Sequence, residues 1–288
     1  HSQFLPEAVQ LLTAIGNAAE KRGIRVQILF KSIDDFDAGA IIRRYRAGEF
    51  QAVAFAETCP ALLAEKLLAS GIPLTVVNCE TADELPAARV DFREIGRTAA
   101  RELLRLGHRR FGMVNGPGER FIFAEMLAGF RGALAEEGII LTPDRVVEMS
   151  LGPADAVNPR IGALLHLKGV IPAAGSASDP AVIRLLGEPD RPTALLVARD
   201  CRAAYVYCCC RVLGIRIPEM LSLISYDNVS WSEAPELGLT TIAEPLAELG
   251  EAALEMLQSW CLTRQRPANR SVAGPLIRRH SATLCAAH

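Results

Sequence analysis

The stretch whose reading decides the fold is Leu221-Ser-Leu-Ile-Ser-Tyr-Asp-Asn228, then Val229-Ser-Trp-Ser-Glu-Ala-Pro-Glu-Leu-Gly238, then Leu239-Thr-Thr-Ile-Ala-Glu244. Leu221 to Tyr226 is a short apolar run rich in β-forming residues, which predicts a strand buried on both faces. A carboxylate and an amide, Asp227 and Asn228, follow at its carboxyl end. In open α/β sheets, ligands bind in the crevice beyond the carboxyl ends of the strands. Asp227 is therefore the leading candidate for a ligand-binding residue. The plainer role for an Asp here is to end the strand and cap a turn. A turn-rich loop carrying Trp231 comes next, and Leu239 to Ala243 predicts a second short strand.

Working outward, the same alternation recurs. Upstream, Thr193 to Ala198 predicts a strand and Asp200 to Leu213 a helix. Further back, Glu94 to Leu106 reads as a helix, Arg110 to Val114 as a strand, Ala124 to Glu137 as a helix and Val146 to Met149 as a weak strand. Between Ser150 and Arg191 only helical pieces near Asp155 to Leu167 and Asp179 to Leu186 stand out. Nearer the start, Pro6 to Arg22 carries a helical stripe closed by Gly23. Val26 to Phe30 predicts a strand, Asp37 to Arg46 a polar helix, Gln51 to Ala56 a strand, Pro60 to Ala69 a helix and Pro73 to Asn78 a strand. Downstream, Leu246 to Thr263 is a long amphipathic helix and Arg270 to Arg278 is extended. Helices alternating with strands imply crossover connections and parallel sheets. The first helix has no strand before it. A doubly wound sheet does not drop an internal strand without orphaning its neighbours' backbone groups, so a first strand is expected upstream of His1.

Composition narrows the function. The 288 residues suit one large α/β domain or two lobes, and half are hydrophobic. A formal net charge of −2, with no basic run longer than two or three residues, argues against this segment gripping nucleic acid itself. No apolar run approaches the roughly 20 residues of a membrane span. The eight cysteines form no C-x-x-C pair and sit at no zinc spacing. Cys208, Cys209 and Cys210 are consecutive, so on a helix they point about 100° apart and do not converge on one metal. They read as small core residues of a reducing cytosol, with neither metal nor cofactor expected.

Several motifs, in order, resemble one family. They are Asn115-Gly-Pro-Gly118 before a helix ending Leu127-Ala-Gly-Phe-Arg-Gly-Ala-Leu134, Pro192-Thr-Ala-Leu-Leu-Val-Ala-Arg-Asp200, Gly214-Ile-Arg-Ile-Pro-Glu-Met-Leu221 leading into Ser222 to Asn228, Leu239-Thr-Thr-Ile242, and Pro275-Leu-Ile-Arg-Arg-His-Ser281. Together they resemble the effector-binding part of the lac repressor/gal repressor (LacI/GalR) family of bacterial transcription regulators, from about Pro6 to the C-terminus. The resemblance implies an α/β, periplasmic-binding-protein-like fold: two doubly wound parallel-sheet lobes joined by three crossovers. One lobe would hold residues 1–91 plus 245–273, the other 92–243 plus 274–288. A small, sugar-like effector would sit between them, operator DNA would be read by an upstream domain not in this chain, and the protein would be a cytoplasmic homodimer with no membrane contact. Hinge motion would fall near Asp91, Ala243 and Ala273.

The resemblance also carries over residues. Asp227 matches the family's effector-contacting Asp, Asn78 stands at a strand end where the family has a polar residue, and Asp91 and Arg93 fall in the first crossover. Arg120 and Trp231 complete the candidate set. Three positions depart from the pattern. Arg199 stands where Asn is usual, the family's helix-start Arg falls on Ala124, and Glu244 replaces Gln or a similar residue. Arg199 and Glu244 are expected to pair, leaving a neutral site suited to an uncharged polyhydroxyl ligand; a free Arg199 would instead take an anion. Phe121 and Phe123 are expected in the core. The helix from Asp200 to Leu213, unusually apolar for one facing water, is expected at the dimer interface. Two other classes share the chain's features. One is a secreted solute-binding protein of the same fold. The other is a doubly wound enzyme, for which Asn115-Gly-Pro-Gly118 lacks the third Gly of a dinucleotide fingerprint and no base–nucleophile set stands out.

Overall fold

Short apolar runs separated by helix-stop glycines dictate a regular alternation, and the computed structural model shows it over residues 6–29, 36–56, 59–79, 85–150, 179–235 and 237–285. In chain order the elements are α1 (Pro6–Lys21), α2 (Ala38–Arg46), β1 (Val53–Ala56), α3 (Ala61–Ala69), β2 (Leu74–Val77), β3 (Ala87–Val90), α4 (Phe92–Arg105), β4 (Phe111–Asn115), α5 (Phe121–Glu136) and β5 (Val146–Glu148). They continue with α6 (Pro180–Gly187), β6 (Ala194–Val197), α7 (Asp200–Val212), β7 (Ser222–Asp227), β8 (Thr240–Ala243), α8 (Leu246–Thr263), β9 (Arg270–Val272) and β10 (Leu276–Ile277). The chain divides into two units, His1–Val90 with Pro245–Val272 and Asp91–Glu244 with Ala273–His288.

The first unit is built on a parallel sheet in the order β1-β2-β3-β9. All four residues of β2 are buried, as expected of a strand covered on both faces. Helix α1 packs on α8, and Gly250 of α8 lies so close to Ala14 that a Cβ there would sit 3.0 Å from its carbonyl oxygen. Arg22, just past α1, donates to Glu251 and Glu255 of α8 at 2.8 and 2.7 Å. One expectation fails here. The pattern of Val26 to Phe30 predicts a strand, but 24–29 joins no ladder among the described residues, Val26, Ile28 and Leu29 are exposed, and Phe30 lies outside the described residues. An apolar alternation becomes a strand only where a neighbour supplies hydrogen bonds. Strand β3 escaped the sequence reading because Ala-Ala-Arg-Val is short and poor in β-formers.

The second unit carries a six-stranded sheet in the order β10-β8-β7-β6-β4-β5, parallel except for β10. Val114, Val147, Leu195, Val197 and Leu223 face α6 and α7 in one core. The opposite face meets α4 and α5, where Phe111 stacks edge-on against Phe130 and Tyr226 against Phe92. Helices α4 and α5 touch backbone to backbone: a Cβ on Gly96 would lie 2.1 Å from the Met126 carbonyl oxygen, and one on Gly129 1.9 Å from that of Arg93. Only glycine fits at either position. Both helices start earlier than their periodicity suggests, α4 because Asp91 caps it by accepting from the Glu94 N–H at 2.9 Å. Helix α7 departs from the idea of a water-facing apolar helix: Cys201, Ala203, Ala204, Val206, Cys209 and Cys210 are buried, so the sheet accounts for its apolarity. The helical piece expected near 155–167 lies outside the described residues.

Chain order and sheet order together locate the crevice. From β4 the chain adds β5 on one side and then β6 on the other, so the winding reverses between β4 and β6. At such a switch point the two crossovers diverge and leave an opening beyond the strand ends.

Candidate functional site

The carboxyl ends of β6, β7 and β8 bring most of the second unit's candidates together. Arg199 follows β6 with φ 81° and ψ 137°, a region that side chains seldom adopt. Asp227 ends β7 at φ 119° and Asn228 follows at φ 58°. Each such residue costs about 1–3 kcal/mol, and strain of this kind collects at ligand sites. Among the described residues five non-glycines have positive φ, and four of them, Asn78 included, stand at strand ends.

Arg199 Nε donates to Asp227 Oδ2 at 2.9 Å, with the Asp227 side chain 7% exposed. Strands β6 and β7 are neighbours, so residues 199 and 227 emerge side by side. Glu244 meets the same place through its backbone, its N–H donating to the Asp227 carbonyl at 3.3 Å.

Beneath this pair lies Asp200, fully buried at the start of α7. Its Oδ2 accepts from the Val229 N–H at 3.0 Å and its Oδ1 from the Thr241 hydroxyl at 2.9 Å. Burial first, and the nearby Asp227 charge second, push its carboxyl up to about 7. The sequence reading passed over Asp200. Its signals were its position, the first helical residue after a strand, and its place at the end of the motif Pro192 to Asp200.

At the switch point itself Asn115 ends β4, fully buried, its side-chain amide donating to the Phe123 carbonyl at 3.1 Å. Arg202, 4% exposed, donates to the Met149 carbonyl at 2.9 Å and the Ala198 carbonyl at 3.1 Å. Its guanidinium lies 4.7 Å from the Phe123 ring, and that of Arg120 lies 5.7 Å from the same ring. A desolvated contact of this type is worth about 2 kcal/mol. Phe123 is core as expected, but Phe121 is 48% exposed. Arg202 was not a candidate in the sequence, since nothing local distinguishes a buried Arg from a solvated one.

The remaining candidates sit in their own local settings. Trp231, in the short 3-10 turn Ser230–Glu233, packs on Cys201 and Ala204. Arg279 holds that loop by donating to Asn228 Oδ1 and to the Leu239 carbonyl, each at 2.8 Å. Asp91 caps α4, and Arg93 pairs with Glu125 of α5 at 2.9 Å. Asn78 ends β2 of the first unit at φ 52° and donates its N–H to the Ala88 carbonyl. Among the described residues no group of three or more His, Cys, Asp or Glu could hold a metal, and no helix is long and apolar enough to cross a membrane. The thiol of Cys201, beside the site, is pushed up to about 11 by burial, which leaves it protonated and a poor nucleophile.

The cluster is chemically mixed. The ion pair presents fixed donors and acceptors together, which suits a ligand whose hydroxyls both give and take hydrogen bonds.

Comparison with known proteins adds the following. Residues 6–164 match the family model described as periplasmic binding proteins and sugar binding domain of LacI family, and residues 100–282 match a periplasmic binding protein-like domain. The HTH-type transcriptional repressor PurR of Escherichia coli is 32% identical over 214 residues, 73% of this chain and 56% of the relative. The chain thus spans little more than half the length of the curated relatives it matches. A putative LacI-family transcriptional regulator from Rhizobium etli has a similar structure, with TM-score 0.68 and 26% identity over 96% of this chain and 94% of that one. A LacI-family regulatory protein from Chloroflexus aggregans gives TM-score 0.72 at 19% identity over 95% and 91% of the two chains. A complex of the transcriptional regulator CelR with cellobiose gives 0.67 at 19% identity over 95% and 78%.

Proposed function

Because the chain belongs to the family of periplasmic binding proteins and LacI-type sugar-binding domains, we propose that it is the small-molecule sensing part of a bacterial transcription regulator. The effector is a sugar or sugar derivative held at the carboxyl ends of the second unit's strands. Asp227 and Arg199 contact it, and Asn228, Glu244 and Arg120 border it. The protein acts in the cytoplasm as a homodimer and reaches operator DNA through a separate domain. It carries no catalytic activity.

The observation that carries this reading is the Arg199–Asp227 pair on two strained strand ends beside the switch point of the sheet. A pair already neutralised within the chain favours an uncharged polyhydroxyl ligand over an anion, since an anion would have to compete with Asp227 for the guanidinium. The secreted solute-binding alternative shares the family description. The repressor relatives and the wholly thiol cysteines support the regulator instead.

The test is a thermal-shift screen against sugars, cellobiose among them, sugar acids and nucleobases, followed by calorimetry on the hits. A ligand that binds only the folded chain raises the melting temperature by mass action. Binding restricted to neutral sugars supports the reading, binding restricted to acids reverses the choice of class, and hits that Asp227→Ala leaves unchanged reject the site.

A further inference from the structure

The binding end of the second unit is made of strand ends that do not relax to ordinary conformations by themselves. Arg199, Asp227 and Asn228 all hold positive φ. Something must hold them there against strain of about 1–3 kcal/mol each. One side chain touches the structure around all three. Asp200 follows Arg199 directly, accepts from Val229 just beyond Asn228, and accepts from Thr241 on β8, which pairs with Ser225 of β7. It is fully buried, so it does not itself face solvent.

We infer that Asp200 is a positioning residue, whose buried carboxyl ties the ends of β6, β7 and β8 together and so sets how Asp227, Asn228 and the Trp231 loop are presented. The inference rests on the proposed function only in naming these ends as the binding ends. The tie itself is a statement about the chain alone.

The tie is also titratable. The groups around Asp200 are the Asp227 carboxylate and Ser225 hydroxyl from β7, the Thr241 hydroxyl from β8 and the Val229 N–H from the loop. On its own side stand Arg199, held by Asp227, and Arg202, turned to the Met149 and Ala198 carbonyls. As a carboxylate, Asp200 accepts two strengthened hydrogen bonds but repels Asp227. As an acid it gives up one acceptor and the repulsion. The balance point lies near neutrality, about 7, so the two arrangements exchange in an accessible range. Trp231 reports on the change, because it lies two residues past Val229 and packs on Cys201 and Ala204 of α7.

The experiment uses the effector-free chain with Trp260→Phe, which leaves Trp231 as the sole tryptophan of the two. Emission is followed from pH 5.5 to 8.5 while far-ultraviolet circular dichroism confirms that the chain stays folded. The expected result is one transition with its midpoint near 7 that disappears in Asp200→Asn. Thr241→Val, which removes a donor to the carboxylate, moves the midpoint up. Asp227→Asn, which removes the neighbouring negative charge, moves it down. A transition that survives Asp200→Asn, or flat emission in the parent chain, overturns the inference. Should Asp200→Asn fail to fold, opposite shifts in the other two variants support the tie, and unmoved midpoints overturn it. No effector enters the measurement. A failed tie therefore leaves the binding proposal standing, and failed calorimetry leaves the tie standing.

Discussion

The two ends of the second unit's sheet hold ion clusters of opposite character. At the amino ends of the parallel strands Glu102 of α4, 6% exposed, accepts from two guanidinium forks, Arg105 at 2.9 and 2.9 Å and Arg278 at 2.7 and 3.0 Å. Those hydrogen bonds hold its carboxyl down at about 2. Nearby, His108 is clasped between the Thr193 hydroxyl and the Thr283 carbonyl, and burial lowers its pKa. Cys285 donates its N–H to Leu106, and Ser281 bridges β7 and β8. No strained residue stands at these strand starts among those described. At the carboxyl ends two carboxylates share one buried site, one of them is pushed up rather than down, and the backbone is strained at three residues. The amino end has the arrangement expected of a structural clasp. The carboxyl end carries unfavourable terms that folding alone does not require, which is the usual mark of a site shaped for something else.

The sharpest way to break this comparison is to exchange roles by mutation. Asp227→Ala is expected to weaken binding of any effector found by the screen at least 100-fold, in the range of a lost buried charged contact. Glu102→Gln should change the same calorimetric affinity by less than twofold. Equal losses would erase the distinction.

The reverse effect is expected in stability. Glu102→Gln should lower the unfolding free energy by about 1–3 kcal/mol, since hydrogen bonds to charged groups are worth about 1.5–3 kcal/mol each and the two exposed Arg partners recover part of theirs from water. Urea denaturation reads this directly. A midpoint that does not move would make the clasp ornamental.

The smallest expected effects are in pH dependence, where the signs differ. Glu102 has its folded pKa below the ordinary value of 4.5, so its contribution is present above about 4.5 and is lost as pH falls towards 2. His108 is likewise lowered from 6.5, so the native state binds its proton less readily and stability declines as pH falls below 6.5. Asp200 is raised, so its contribution is full below 3.8 and is lost as pH rises to about 7. Unfolding free energies at intervals from pH 3 to 8 should show the acid limb flattened in Glu102→Gln. The decline between pH 4 and 7 should be missing in Asp200→Asn. A decline retained in that variant would place its cause elsewhere.

Much of this was legible in the residues, and the failures have definite causes. Buried strands β2, β4, β6 and β7 showed as apolar runs because both of their faces are covered. Helix ends showed through Gly23, Gly71, Gly107 and Gly138, which all hold positive φ. Asp227 was picked out by its place after a buried strand. Val26 to Leu29 had a strand's pattern but no ladder partner among the described residues. Arg199 stood out by its place after a strand, but its ion pair with Asp227 was not legible, because strand order and not chain distance decides which ends adjoin. Asp200 and Arg202 were missed because their importance lies in burial, which a polar residue does not announce.

The sequence by itself determined the alternation of elements, the family and the position of the binding candidates along the chain. These depend on local propensity, periodicity and short ordered motifs, all properties of neighbours in the chain. The tertiary structure alone decided that Arg199 meets Asp227, that Asp200 lies buried against Val229 and Thr241, and that Glu102 gathers Arg105 and Arg278. The physical reason is that charge–charge energies depend on separation in space and on desolvation, and both are set only when strands distant in sequence become neighbours in the sheet.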